Sequence, residues 1–74
     1  MKNYKDKNKL MRIITDNQDN NAVLSDFCTY LLADINFCCL STEKKQLDYI
    51  KKLPMIHGCH LIIPIKELLK IYNE

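Results

Sequence analysis

Three features are scarce in this sequence: long apolar runs, charge of one sign, and cysteines at metal-binding spacing. No unbroken apolar run approaches the about 20 residues of a membrane-spanning helix, so no such helix is predicted. The 11 Lys and Arg residues against 9 Asp and Glu leave a net charge of +2, which by itself is too small to argue for nucleic-acid binding. The basic N-terminal stretch is not followed by an apolar segment of about seven residues or more, so no secretory signal is indicated and a cytoplasmic protein is expected.

The length of 74 residues, with 47% apolar and 27% charged residues, predicts one small globular domain of thin stability. We place a basic N-terminal tail at residues 1–9 and a single domain at residues 10–74. A solvated tail is favoured over a weak anion-binding arm, because Asn and Asp6 are interspersed among the basic residues. Those basic residues are Lys2, Lys5, Lys7, Lys9 and Arg12.

The four cysteines are Cys28, Cys38, Cys39 and Cys59. Without an export signal they do not indicate a disulfide framework, and we expect reduced and mostly buried thiols. His57 and His60 flank Cys59 and would supply zinc ligands if they met Cys38 and Cys39. No two cysteines are separated by two residues, however, and adjacent cysteines rarely bind one ion together, so neither a metal nor another cofactor is predicted.

The first half of the chain changes its apolar period at Ala22. Residues 10–15 are apolar and partly β-branched, which predicts a strand, and the polar residues 16–21 predict a loop. A helix capped by Asn20 or Asn21 follows, because apolar residues then recur at spacings of three and four. Its apolar face is formed by Leu24, Phe27, Cys28, Leu31 and Leu32.

Residues 35–40 fit two structures. Ile35, Phe37 and Cys39 alternate as in a strand, whereas Leu31, Ile35 and Cys38 would continue the preceding helix through residue 40. We favour a short strand, because the stretch from Asp34 to Asn36 combines poor helix formers.

The second half predicts two helices around one strand. Ser41 caps a helix over residues 42–53 that Pro54 ends, and its apolar face is Leu47, Ile50 and Leu53. Residues 59–63 are continuous, apolar and β-branched, as in a buried strand. Pro64 then occupies a first helical position. The face of this last helix is Ile65, Leu68, Leu69 and Tyr72.

The predicted order is therefore β-α-β-α-β-α. Such alternation favours an α/β fold with a small three-stranded parallel sheet in strand order 2-1-3, half of a flavodoxin-like fold. An all-α helical bundle is the alternative, in which residues 22–40 form one long helix.

Residues 11–17 (MRIITDN) have the form of a first strand ending in an acidic position, and residues 50–65 that of a second helix and third strand. With these two stretches the chain resembles the first half of a response-regulator receiver domain, in particular the receivers of LuxR-type transcription regulators. The resemblance implies an acidic site in which Asp16 is one of a pair of acids. Asn17 stands where the second acid would be, and Asp19 could replace it. Pro64 stands at the phosphoacceptor position, so phosphotransfer is not expected.

The resemblance also implies an open sheet border, because the strands that would follow the third strand lie beyond Glu74. This interaction edge consists of Cys59, Leu61, Ile62 and Ile63. Its unpaired backbone groups predict a homodimer or the addition of a strand from another protein.

The sequence therefore predicts a non-enzymatic regulatory or interaction module, a receiver-like remnant that acts through protein contacts in transcriptional regulation or signalling. One alternative is a small all-helical regulator. Another is a nucleic-acid-associated protein that uses the N-terminal arm and four lysines, Lys44, Lys45, Lys51 and Lys52. An enzyme is not predicted, since neither His57 nor His60 has a nucleophile and an orienting acid at a motif spacing.

Overall fold

The computed structural model describes residues 8–19 and 22–74, and every regular element within these residues is a helix. The elements are α1 (Lys9–Asp16), α2 (Ala22–Ala33), α3 (Ile35–Cys38), α4 (Glu43–His57), a single 3-10 turn (Cys59–Leu61) and α5 (Ile62–Tyr72). The predicted α/β fold with its parallel sheet is wrong, and the all-helical alternative agrees with the structure. Some residues named in the sequence predictions lie outside the described residues. They are Lys2, Lys5 and Lys7 of the tail and the two candidate helix caps, Asn20 and Asn21.

The first predicted strand is helix α1. Leu10 and Ile14 are four residues apart and both fully buried, which places them on one helical face. The helix starts where the side chain of Asn8 accepts a hydrogen bond of 2.8 Å from the backbone N–H of Met11. Glu43 accepts a second bond, 3.0 Å long, from the N–H of Leu10. A contact from 33 residues away thus stabilises a helix that its own β-branched residues would not favour.

The second predicted strand is the short helix α3. A strand would place Ile35 and Phe37 on the same side, but Ile35 is exposed and Phe37 fully buried. The side chain of Asp34 accepts a 3.0 Å bond from the N–H of Asn36 and so caps α3. Asp34 has extended backbone angles, which also break the long helix over residues 22–40 that the all-helical alternative assumed.

The third predicted strand is the 3-10 turn with the start of α5. Ile62 and Ile63 are 42% and 64% exposed, so the apolar run from Leu61 does not cross a core. Burial on both faces is what a continuous apolar strand would require.

Three predicted helices are confirmed, with corrected ends. Thr42, not Ser41, caps α4, because its side chain accepts a 3.2 Å bond from the N–H of Lys45. Pro54 does not end α4, which continues to His57. Pro64 lies in the first turn of α5, where its missing N–H has no helical partner to lose.

The packing of the helices leaves one gap. α2 packs mainly against α1, α3 and α5, whereas α4 packs against the 3-10 turn and α5. The shared core contains the buried apolar residues Leu10, Ile14, Leu24, Phe27, Cys28, Leu31, Phe37, Ile50, Leu53, Ile65 and Leu68. Few close contacts join α2 directly to α4, and a groove lies between α2 and the end of α4.

Candidate functional site

The groove runs between α2 and the junction of α4 with α5. Its larger part has a volume of about 610 Å³. One wall comes from α2, and the other comes from the end of α4, the 3-10 turn and the first turn of α5. The lining residues are Val23, Asp26, Phe27, Tyr30, His57, His60, Leu61 and Pro64.

A smaller part, of about 370 Å³, continues the groove towards α3. Tyr30 and His57 line both parts, so they lie where the two parts adjoin. Their rings pack edge to face with centroids 6.3 Å apart. The smaller part adds Ala33, Asp34, Ile35, Asn36 and Tyr49.

Helix α2 forms this wall because it has two neighbouring apolar faces. Leu24 and Leu31, seven residues apart, face the core and are buried. Val23 and Tyr30 each precede one of these leucines and are also seven residues apart, so they form a neighbouring face. Their side chains are 50% and 38% exposed. The first pair holds the helix in the core. The second pair is partly exposed to the groove, where the ring of Tyr30 also packs against Phe27 and His57.

The smaller part contains a cluster of two tyrosines and one carboxylate. The hydroxyl of Tyr49 donates a 2.6 Å hydrogen bond to Oδ2 of Asp34, whose Oδ1 accepts the N–H of Asn36. The bond from Tyr49 lowers the pKa of Asp34, although partial burial opposes this shift. Burial and the nearby Asp34 carboxylate together raise the pKa of Tyr30. The carboxylate is therefore held in its charged form beside aromatic rings.

The charge of the groove is opposite to that of the chain. None of the described residues that line its two parts is a lysine or an arginine, and the acids among them are Asp26 and Asp34. The chain as a whole has a net charge of +2. The lysines and the arginine among the described residues therefore lie outside this lining, which presents acids, two histidines and apolar surface.

Exposed apolar side chains extend around the α4–α5 junction. Ile56 lies on α4 next to His57, and Ile62 and Ile63 begin α5. A cluster of exposed apolar side chains on a small domain is typical of an interaction surface. Met55 is 88% exposed but points away from the groove, because it lies on the side of α4 opposite Leu53.

The predicted acidic site has no counterpart in the groove. Asp16 ends α1 and Asp19 lies in the following turn, and both are exposed. A receiver-like site needs these acids at the end of a strand, and the described residues form no strand. Pro64, predicted at the phosphoacceptor position, lines the groove from the first turn of α5.

The predicted interaction edge is not the border of a sheet. Cys59 and Leu61 belong to the 3-10 turn, and Ile62 and Ile63 belong to α5. Their backbone is helical, so pairing with another strand is not available to it. Leu61 instead lines the groove through its side chain.

The cysteines differ from the prediction of mostly buried thiols. Cys28 is buried, and its burial raises its pKa to about 11. Cys38, Cys39 and Cys59 are exposed. Within residues 8–19 and 22–74 no group of three His, Cys, Asp or Glu side chains is placed to hold a metal ion, so His57, Cys59 and His60 do not converge on Cys38 and Cys39.

The sequence contains a signal for this groove that is separate from any strand pattern or catalytic motif. Val23 and Tyr30 form a second apolar stripe on a helix whose first stripe already fills the core. The partnership of Asp34 and Tyr49 had no sequence signal, because 15 residues and a loop separate them.

Comparison of the chain with protein-family models, with curated proteins and with solved structures gave no match. No helix in the described part of the chain is long and apolar enough to cross a membrane. The functional assignment therefore rests on the geometry of the groove.

Proposed function

We propose that the protein is a small all-helical interaction module that binds a protein partner in the groove between α2 and the α4–α5 junction, and that it is not an enzyme. The observation that carries this proposal is the exposed second stripe of α2, Val23 and Tyr30, facing an open groove. A regulatory role in transcription or signalling, which the receiver resemblance implies, stays a prediction.

The shape of the groove supports a helix as the bound element. From Val23 to Ala33 the α2 wall covers 10 residue steps, which is about 15 Å at 1.5 Å per residue. This length fits about three turns of a partner helix, and apolar grooves that bind amphipathic helices are a recurring mode of recognition.

The openness of the groove supports binding rather than catalysis. Catalytic sites exclude water around the reacting atoms, and they place a nucleophile or base within hydrogen-bonding distance of an orienting group. In the described part of the groove the contact of His57 is with the ring of Tyr30, which suits packing against a ligand.

A selection experiment tests the proposed function. A displayed library of random peptides about 16 residues long, enough for four helical turns, is selected against the full chain. We expect enriched peptides whose affinity falls at least about tenfold for Val23→Lys, because a buried charge in the groove is costly.

Met55→Lys is the matched control, since it adds the same charge at an exposed position outside the groove lining. Its affinity for the selected peptides should equal that of the wild type. Absence of enrichment, or peptides that bind Val23→Lys as well as the wild type, would overturn the proposal.

Nucleic-acid binding is the second candidate, and the outer side of α4 favours it. Lys44, Lys45, Lys51 and Lys52 are all exposed on the side of α4 away from the core. Asp48 lies three or four residues from each of them and reduces the positive charge of this face. Binding to duplex DNA that weakens steeply with added salt would support this candidate, and no binding at low salt would exclude it.

A further inference from the structure

We infer that the partner is an amphipathic helix with a basic side chain at each end of its apolar face, one contacting Asp34 and the other Asp26. This inference rests on the proposed function and adds the chemistry of the bound segment.

Charge complementarity is the first reason. Asp26 and Asp34 are the acids among the described residues that line the groove, and no described lysine or arginine lines it. A partner with an acidic face would meet only like charge there. A basic partner would meet opposite charge, and none of the described lysines or arginines lines the groove to compete with it.

The environment of Asp34 is the second reason. Its oxygens accept hydrogen bonds from neutral donors, among them the hydroxyl of Tyr49 at 2.6 Å and the N–H of Asn36 at 3.0 Å. These bonds orient the carboxylate but do not neutralise it. The rings of Tyr30 and Tyr49 line the same part of the groove, and aromatic faces attract ammonium and guanidinium groups.

The spacing of the two acids is the third reason. Asp26 lies on α2 one turn before Tyr30, and Asp34 directly follows the end of α2 at Ala33, so the two acids lie on either side of Tyr30 along the chain. On a partner helix, two residues seven apart share one face and are separated by about 10 Å. The matching partner pattern begins with a basic residue and has a second basic residue seven positions later. Apolar residues lie three and four positions after the first basic residue.

Three synthetic helical peptides test this inference. They share one apolar face and carry Arg, Gln or Glu at the two positions seven residues apart. Calorimetric titration of the full chain measures each affinity, and amide shifts in NMR spectra locate the binding site. We expect the Arg peptide to bind about tenfold more tightly than the Gln peptide, with the Glu peptide weakest. Added salt should remove most of this difference.

Variants of the chain assign the preference to the two acids. We expect Asp34→Asn to weaken binding of the Arg peptide about fivefold and Asp26→Asn about threefold, as for partly exposed ion pairs. Asp48→Asn removes an exposed acid outside the groove and should leave the affinity unchanged. Asn caps helices as well as Asp, so Asp34→Asn is expected to fold, and Asp26→Asn tests the same preference without touching a cap.

The possible failures are distinguishable. Equal binding of the Arg and Gln peptides in the groove overturns the basic partner and leaves the proposed function standing. If none of the three peptides binds, the inference is wrong, and the library selection decides the proposed function separately. Sedimentation experiments would also detect self-association of the chain. If Val23→Lys abolished such self-association, the groove would be assigned to a second copy of this chain, and the inference would be overturned.

Discussion

The hydrogen bond between Tyr49 and Asp34 joins the middle of α4 to the start of α3, and its energy can be isolated in a double-mutant cycle. Tyr49→Phe removes the hydroxyl that donates the 2.6 Å bond, and Asp34→Asn removes the charge that accepts it. Asn keeps the side-chain oxygen that caps α3, so the cycle compares the bond and not the cap.

The expected size follows from the geometry. Hydrogen bonds to charged groups contribute about 1.5–3 kcal/mol when they are shielded from water. Tyr49 and Asp34 are only partly buried, so solvent screens the pair. We therefore expect Tyr49→Phe to reduce the free energy of unfolding by about 1 kcal/mol at neutral pH, with a coupling energy to Asp34→Asn of about 0.5–1 kcal/mol.

The effect depends on pH in a defined direction. The bond from Tyr49 lowers the pKa of Asp34 in the folded chain below that of an unfolded Asp, which is about 3.9. The charged carboxylate therefore contributes its full stability above about pH 4, and the contribution is lost as the pH falls through the folded-state pKa. The cost of Tyr49→Phe should shrink over the same range.

Urea unfolding followed by circular dichroism measures the cycle at neutral pH and at steps into the acid range. Tyr49→Phe combined with Asp48→Asn is the control, because neighbouring helical residues do not face each other. A coupling energy below about 0.3 kcal/mol between Tyr49 and Asp34, or one that grows as the pH falls, would refute the reasoning.

Three further predictions concern the core, the end of α4 and the thiols. Phe37→Ala empties a fully buried site and should lower the free energy of unfolding by about 3–5 kcal/mol, as measured in urea. That is most of the stability of a domain this small. A loss near 1 kcal/mol would contradict the central position of Phe37. Gly58→Ala should cost about 1–3 kcal/mol, since Gly58 has φ +124° and an added Cβ would lie 2.8 Å from Nδ1 of His60; an unchanged unfolding midpoint would count against it. A thiol reagent should modify the three exposed cysteines in the folded chain, Cys38 more slowly than the other two because partial burial and the Asp34 carboxylate raise its pKa. Cys28 should react only on unfolding, because burial raises its pKa to about 11. Rapid modification of all four thiols in the folded chain would be inconsistent with the structure.

The parts of the fold that periodicity could predict are the long helices. In α2 the predicted face is buried at Leu24, Phe27, Cys28 and Leu31 and partly buried at Leu32. Over such a length a spacing of three and four is distinguishable from alternation. Ile65 and Leu68 of α5 are buried for the same reason.

The shorter elements depend on contacts from elsewhere in the chain, which periodicity does not record. Helix α1 has only 8 residues, and its start is stabilised by Glu43 of α4. Helix α3 has 4 residues, too few to show a period, although Asp34 in front of it was a usable capping signal. The site follows the same rule: the α2 stripe could be predicted, and the bond between Tyr49 and Asp34 could not.

Pro54 explains why the sequence predicts neither the full length of α4 nor the wall that its last turn gives the groove. Within a helix, proline removes one hydrogen bond and costs about 3 kcal/mol, so a helix end at residue 53 was the reasonable prediction. α4 nevertheless continues, because Leu53 is fully buried just before the proline and Gly58 donates a 3.0 Å bond back to the carbonyl of Pro54. The extra turn places His57 against Tyr30 and so builds the second wall of the groove. The groove therefore depends on tertiary packing that outweighs a local signal for ending the helix one turn earlier.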